Sequence, residues 1–130
     1  MQKGDNYTHQ FKITNEVYTG FIQVFGDKNP MHTDEQFAKE KGFKSIVMHG
    51  NILNGFISYF IGECLPEKNV MIYSQTIDFK KPVFLNDTLT LHAHIKDVYE
   101  SVKSAEIKFY FENSESIKVA KGVILIGINL

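Results

Sequence analysis

Within GDKNPMH, residues 26 to 32, a carboxylate (Asp27) and an imidazole (His32) lie close together in one short turn. Pro30 fixes its own φ and pushes Asn29 toward an extended conformation, so the turn is stiffened at its centre. A stiff turn can aim both side chains at one point, where together they can hold a single water. Carboxylates and imidazoles titrate in different ranges, so one can accept a proton while the other holds or delivers one. Asp-Lys-Asn-Pro is also a good turn sequence in its own right. The surroundings decide whether it is more.

A second stretch, VMHGNILNGFIS at residues 47 to 58, puts His49 and Gly50 at the mouth of an apolar helix. A glycine at a helix N-terminus leaves backbone N–H groups unpaired and outward, reinforced by the helix dipole. Such a donor suits a developing enolate or oxyanion. An acid–base pair beside it matches proton chemistry next to a thioester carbonyl, with water added across an α,β double bond or lost from a β-hydroxy group. That chemistry calls for no metal, redox cofactor or covalent nucleophile. His49 can equally cap or pack. His32 with His49, or His92-x-His94 on a strand, are the conceivable metal ligands, but neither has recognisable ligand spacing and no metal site is expected. Cys64, at the end of the same helix with no evident activating partner, is expected to be a core thiol rather than a nucleophile.

The elements around these residues divide by texture. Up to about residue 65 the apolar pattern is helical. Thr14 can cap a helix through Val17, Tyr18, Phe21, Ile22 and Phe25 that ends at Gly26, and Asp34 a short helix reaching Gly42. A third helix is predicted from about Gly50 to Cys64. After Pro66 come four strand-like runs, 71–79, 88–98, 103–111 and 117–128, rich in β-branched and aromatic residues. An early strand near His9 to Ile13 would complete a sheet of about five. The third helix is apolar nearly all round and should be buried. A curved antiparallel sheet wrapped around one central helix, the α+β hot-dog architecture, meets that demand. At about 100° per residue, Asn51, Asn54, Ser58 and Gly62 fall on one narrow stripe of this helix, with Gly55 beside it. Close packing explains the glycines; a site explains Asn51 and Ser58 only if the stripe faces Asp27 and His32.

The chain's 130 residues suit a single domain, 1–130, large enough to bury a core. A net charge of -1 gives no electrostatic footprint for nucleic acid or anionic membrane. One cysteine cannot form an internal disulfide, the start MQKGDNYTHQ lacks a signal-like apolar run, and no segment is long enough to span a bilayer. A soluble, cytoplasmic protein is expected.

GDKNPMH followed by VMHGNILNGFIS resembles the signature region of the MaoC-like dehydratases, especially the (R)-specific enoyl-CoA hydratases. SQTIDFKKPVFLND (74 to 87) is similar to the family's strand and loop after the central helix, while the C-terminal strands agree in pattern only. The resemblance implies a hot-dog protein, a homodimer or dimer of dimers, acting on an acyl-CoA or an acyl carrier protein thioester without a cofactor. It implies Asp27 and His32 as the catalytic pair that activates water and the Gly50 N–H as donor to the thioester oxygen. Asn29, His49 and Ser58 become supporting residues. Asn51, in place of a commoner apolar residue, and Lys80-Lys81, facing CoA phosphates or an acidic carrier protein, become substrate-binding. The implied reaction is reversible hydration of a trans-2-enoyl-CoA to an (R)-3-hydroxyacyl-CoA. A 3-hydroxyacyl-carrier-protein dehydratase would use the same residues. A hot-dog thioesterase is disfavoured because the central helix has no carboxylate before Glu63, and a non-catalytic acyl-CoA-binding module because binding alone needs no matched acid and base.

Overall fold

Local punctuation sets the helical half. In the computed structural model, which describes residues 1–130, the Thr14 side chain accepts the Val17 N–H at 3.2 Å and opens α1 (Asn15–Phe25). Gly26 closes α1 in the left-handed region, φ 77°, where its N–H reaches the Ile22 carbonyl and a side chain would be strained. The sequence predicts only a turn at 27–32. The chain instead winds one helical turn, α2 (Pro30–Thr33), because Asn29 caps it and Pro30 sits at its first position. Asp34 then caps α3 (Glu35–Glu40) by accepting the Phe37 N–H. The third predicted helix is α4 (Asn51–Tyr59), continued by a π-helical turn at Phe60–Cys64 that stops before Pro66.

Five antiparallel strands form one sheet in the order β1-β3-β4-β5-β2. They are β1 (Asn6–Lys12), β2 (Val70–Phe79), β3 (Thr88–Tyr99), β4 (Ser104–Glu112) and β5 (Lys118–Ile128). Alternate residues of β3 to β5, such as Leu91, Ile95, Ile107, Phe111, Ile124 and Ile126, turn toward α4 and are buried. Register shifts at Ile72/Ser74, Ile95/Asp97 and Phe111/Glu112 add local twist, which helps the sheet curl. Gly122 allows β5 and β2 to close up: a Cβ there would lie 1.9 Å from the Thr76 carbonyl oxygen. This is the hot-dog arrangement.

The helix is less enclosed than its composition implies. Ile52, Leu53, Ile57, Phe60 and Ile61 are buried against the sheet, and truncating the fully buried Ile57 to Ala should cost about 2–5 kcal/mol. Asn51, Gly55, Ser58, Tyr59 and Gly62 are exposed. Apart from its own helix backbone and chain neighbours, nothing lies within 4 Å of a Cβ built on Gly55 or Gly62, so close packing of another segment of the chain does not explain these glycines. The sheet covers one side of α4 only and leaves the polar stripe open.

Candidate active site

The 27–32 turn carries its geometry in a few short bonds. The Asn29 N–H donates to Asp27 Oδ1 at 3.1 Å, which leaves Oδ2 to face His32. Asn29 Oδ1 accepts the Met31 N–H at 3.0 Å and so starts α2, which carries His32. The Tyr18 hydroxyl donates to the His32 carbonyl at 2.6 Å and ties α2 to α1; burial pushes this phenol's pKa up. His32 Nδ1 lies 2.7 Å from the Val47 carbonyl. A carbonyl only accepts, so Nδ1 carries a proton and neutral His32 presents a bare Nε2. That Nε2 stands 4.0 Å from Asp27 Oδ2, too far for a direct hydrogen bond.

Two acceptors therefore confront each other across a gap. A water at ordinary hydrogen-bond distance from both subtends an angle of about 90°, close to what its two O–H bonds can span. The carboxylate is half exposed, at 50%, and the imidazole less so, at 20%, so water can reach the gap.

His49 holds the pair from beneath. Its Nε2–H donates to the Asp27 backbone carbonyl at 2.8 Å, and its ring stacks on His32 with centroids 4.0 Å apart. The Phe21 ring, 4.6 Å away, also packs against it, leaving His49 2% exposed with Nδ1 unpartnered. Asp27, His32 and His49 each offer one ligand atom within 4.8 Å of the others, so they are the residues that could hold a metal. The fit is poor. Stacked imidazoles hold their nitrogens in separate planes, where two bonds of about 2.1 Å to one ion do not readily converge.

α4 begins with a tight turn: the Ile52 N–H reaches the His49 carbonyl and the Leu53 N–H that of Gly50. The N–H groups of Gly50 and Asn51 donate to no protein acceptor. Gly50 also marks a close approach, since a Cβ there would meet the Phe79 ring at 3.0 Å.

Two clefts flank these groups. One, of about 450 Å³, is bordered by His32, Gly50, Asn51, Phe79, Lys80 and Lys81. The other, of about 730 Å³, runs between α1 and α4 past Asp27, Asn51 and apolar side chains such as Val24 and Phe25. The structure thus brings together Asp27, Asn29, His32, His49, Gly50, Asn51, Lys80 and Lys81. Ser58 is different: it lies two turns along α4, exposed, and borders neither cleft. Tyr18 and the Val47 carbonyl went unforeseen, because contacts between residues so far apart in sequence leave no local signal.

The other histidines and the thiol are engaged elsewhere. His92 bonds Glu112 and stacks on Tyr110, whereas His94 bonds Asn6. Cys64 lies 3.6 Å from His9 Nδ1, and burial raises its pKa, so the thiol stays protonated.

Fold and site together define a hot-dog protein with a carboxylate–imidazole pair on a turn over the N-terminus of its central helix. Comparison with known proteins gives the family. Residues 2–117 match the model described as "MaoC like domain", and the chain belongs to that family. A 3-hydroxybutyryl-CoA dehydratase of Methylorubrum extorquens is 29% identical over 74% of this chain and 61% of its own. An (R)-specific enoyl-CoA hydratase of Aeromonas caviae is 32% identical over 62% of this chain and 60% of its own. The chain thus spans about six-tenths of the length of these curated relatives. The R-hydratase PhaJ1 from Pseudomonas aeruginosa, unliganded, superposes with a TM-score of 0.89 at 25% identity, covering 98% of this chain and 82% of that one. No helix here is long and apolar enough to cross a membrane.

Proposed function

We propose that this chain catalyses the reversible hydration of a trans-2-enoyl-CoA to an (R)-3-hydroxyacyl-CoA. The observation that carries this is the pair of acceptors, Asp27 Oδ2 and His32 Nε2, facing each other at 4.0 Å. Only a donor can bridge them, and a water doing so points both hydrogens inward and a lone pair outward. That lone pair attacks the β-carbon as one water proton passes to the pair, with Asp27 as the base. The new O–C bond pushes the π electrons through the α-carbon onto the thioester oxygen, where the Gly50 N–H and the α4 dipole stabilise the enolate. The enolate collapses as the α-carbon takes a proton from the pair, helped by His32, and both residues return to their starting charge. The relatives named as (R)-specific enoyl-CoA hydratase and 3-hydroxybutyryl-CoA dehydratase support the same reaction in its two directions.

The clefts suit the two ends of such a substrate. Lys80 and Lys81 offer positive charge to CoA phosphates, and the α1–α4 cleft offers an apolar wall to the acyl chain. In our reading 1–130 acts as one domain in the cytoplasm, without a resident cofactor, and Asn29 and His49 are its supporting residues. A second copy pairs along β2, a sheet edge where Met71, Tyr73 and Phe79 are each more than half exposed. That partner would cover the far end of the open face of α4, at Ser58 and Gly62.

The test is hydration of crotonyl-CoA with the product's configuration determined. Asp27→Asn and His32→Gln should fold normally and lose on the order of a hundredfold or more in turnover. Wild-type-like turnover in either variant refutes the assignment. Assaying crotonyl-CoA beside its acyl carrier protein counterpart decides the carrier.

A further inference from the structure

Three side-chain amides form a ladder along the open face of α4. Gln75, half-buried on β2, donates through Nε2 to Asn54 Oδ1 at 2.5 Å, and Asn54 donates through Nδ2 to Asn51 Oδ1 at 2.8 Å. Asn54 and Asn51 each accept on their oxygen from the amide behind, so the ladder runs from Gln75 to Asn51. An asparagine amide on a helix surface can ordinarily turn either way. Here Asn51 Oδ1 accepts from Asn54, which leaves the Asn51 NH₂ without a protein acceptor at the end of the ladder.

That end sits at a junction. Asn51 is the one residue shared by the two clefts, of which one is bordered by His32 and Gly50 and the other by Asp27. A substrate that reaches both the Asp27–His32 gap and Gly50 lies along clefts that Asn51 borders on both sides. The residue also directly follows Gly50, so its amide and the free Gly50 N–H stand at the same end of α4.

We propose that Asn51 Nδ2 donates to the thioester oxygen as a second oxyanion donor beside the Gly50 N–H. Asn54 and Gln75 are positioning residues that keep Asn51 in its donor orientation. This rests on the hydratase reading above. Negative charge on that oxygen grows between the bound enoyl thioester and the enolate, so a donor fixed in advance acts mainly on the transition state. An apolar side chain at position 51 would fill the same space and supply none of this. The ladder also explains why a mainly apolar helix carries Asn at 51 and again one turn later at 54.

The experiment uses the full chain and crotonyl-CoA. Asn51→Leu should lower kcat by roughly ten- to a hundredfold with KM within about threefold of wild type. Asn51→Asp keeps the shape and replaces the donor with a charge that repels the enolate, so it should fall further. Asn54→Leu leaves Asn51 in place but free to turn, and should fall between wild type and Asn51→Leu. Asn51 is exposed in the first turn of α4, and circular dichroism checks that each variant is folded. A second readout needs no turnover: the infrared band of a ¹³C-labelled crotonyl-CoA carbonyl, bound to the Asp27→Asn variant. That band should move to lower frequency on binding, and adding Asn51→Leu should move it part of the way back. An unchanged kcat in Asn51→Leu, or a bound carbonyl band indifferent to it, overturns the proposal while the hydratase reading stands. A wild-type chain that hydrates no enoyl thioester refutes that reading, and this inference with it.

Discussion

Replacing His49 by Phe separates placement of the Asp27–His32 pair from stability of the fold. His49 makes one hydrogen bond, Nε2–H to the Asp27 carbonyl at 2.8 Å, and is 2% exposed with Nδ1 unpartnered. Losing a bond of this kind costs about 0.5–1.5 kcal/mol, and the half-exposed Asp27 lets water replace part of it. Removing a buried orphan acceptor returns roughly 1–3 kcal/mol. The bulkier ring costs something of the order of 1 kcal/mol, since it must fit between His32 and Phe21. These contributions nearly cancel, so thermal unfolding should stay within about 5 °C of wild type. Activity should not stay put. Phenylalanine keeps the stack but frees the Asp27 backbone, and a shift near 1 Å in a catalytic group can cost about a hundredfold. The assay is crotonyl-CoA hydration across pH beside a thermal melt. His49→Gln supplies the control, because its amide can donate near the Nε2 position without the aromatic ring. Gln should therefore recover most of the turnover that Phe loses. If the two variants lose turnover alike, or if turnover falls only in step with stability, His49 is packing and does not position Asp27.

Tyr18→Phe should act on both stability and pH response. It removes the hydroxyl bond to the His32 carbonyl and should cost about 1 kcal/mol at neutral pH. Burial raises the Tyr18 phenol's pKa, so the stability it contributes is full below the ordinary tyrosine range near 10 and is lost as pH climbs through the folded value. Denaturant midpoints measured between neutral and strongly alkaline pH should fall less steeply in Tyr18→Phe, with Tyr7, raised likewise, accounting for part of the remainder. Equal slopes refute this. Gly122→Ala should cost about 3 kcal/mol or more, seen by denaturant titration, because its Cβ would meet the Thr76 backbone oxygen at 1.9 Å and backbone cannot swing aside. A near-neutral result means β2 and β5 can part there.

Much of the scaffold was legible because its signals are local. Thr14, Asp34 and Gly26 cap and stop helices through contacts within four residues, and each does so as expected. The four later strands fall within a residue or two of their predicted ends, since alternation and turn residues act over the same short range. The Asp27–His32 pairing was legible for the same reason: Pro30 and Asn29 hold one turn. The fate of α4's polar stripe was not. Composition implied an enclosed helix, and only the sheet's path revealed that one side stays open.

The sequence by itself determined most of the elements, the hot-dog class and the stiff Asp27–His32 turn, because hydrogen bonds between near neighbours and the spacing of apolar side chains need no distant partner. Tertiary structure alone decided which atoms face which. His32 presents Nε2 because the Val47 carbonyl claims Nδ1, Asp27 is held by a histidine on another segment, and Asn51 is turned by an amide ladder rooted in β2. Such contacts join segments the chain sets far apart, and their geometry follows from packing rather than from any residue's own preference.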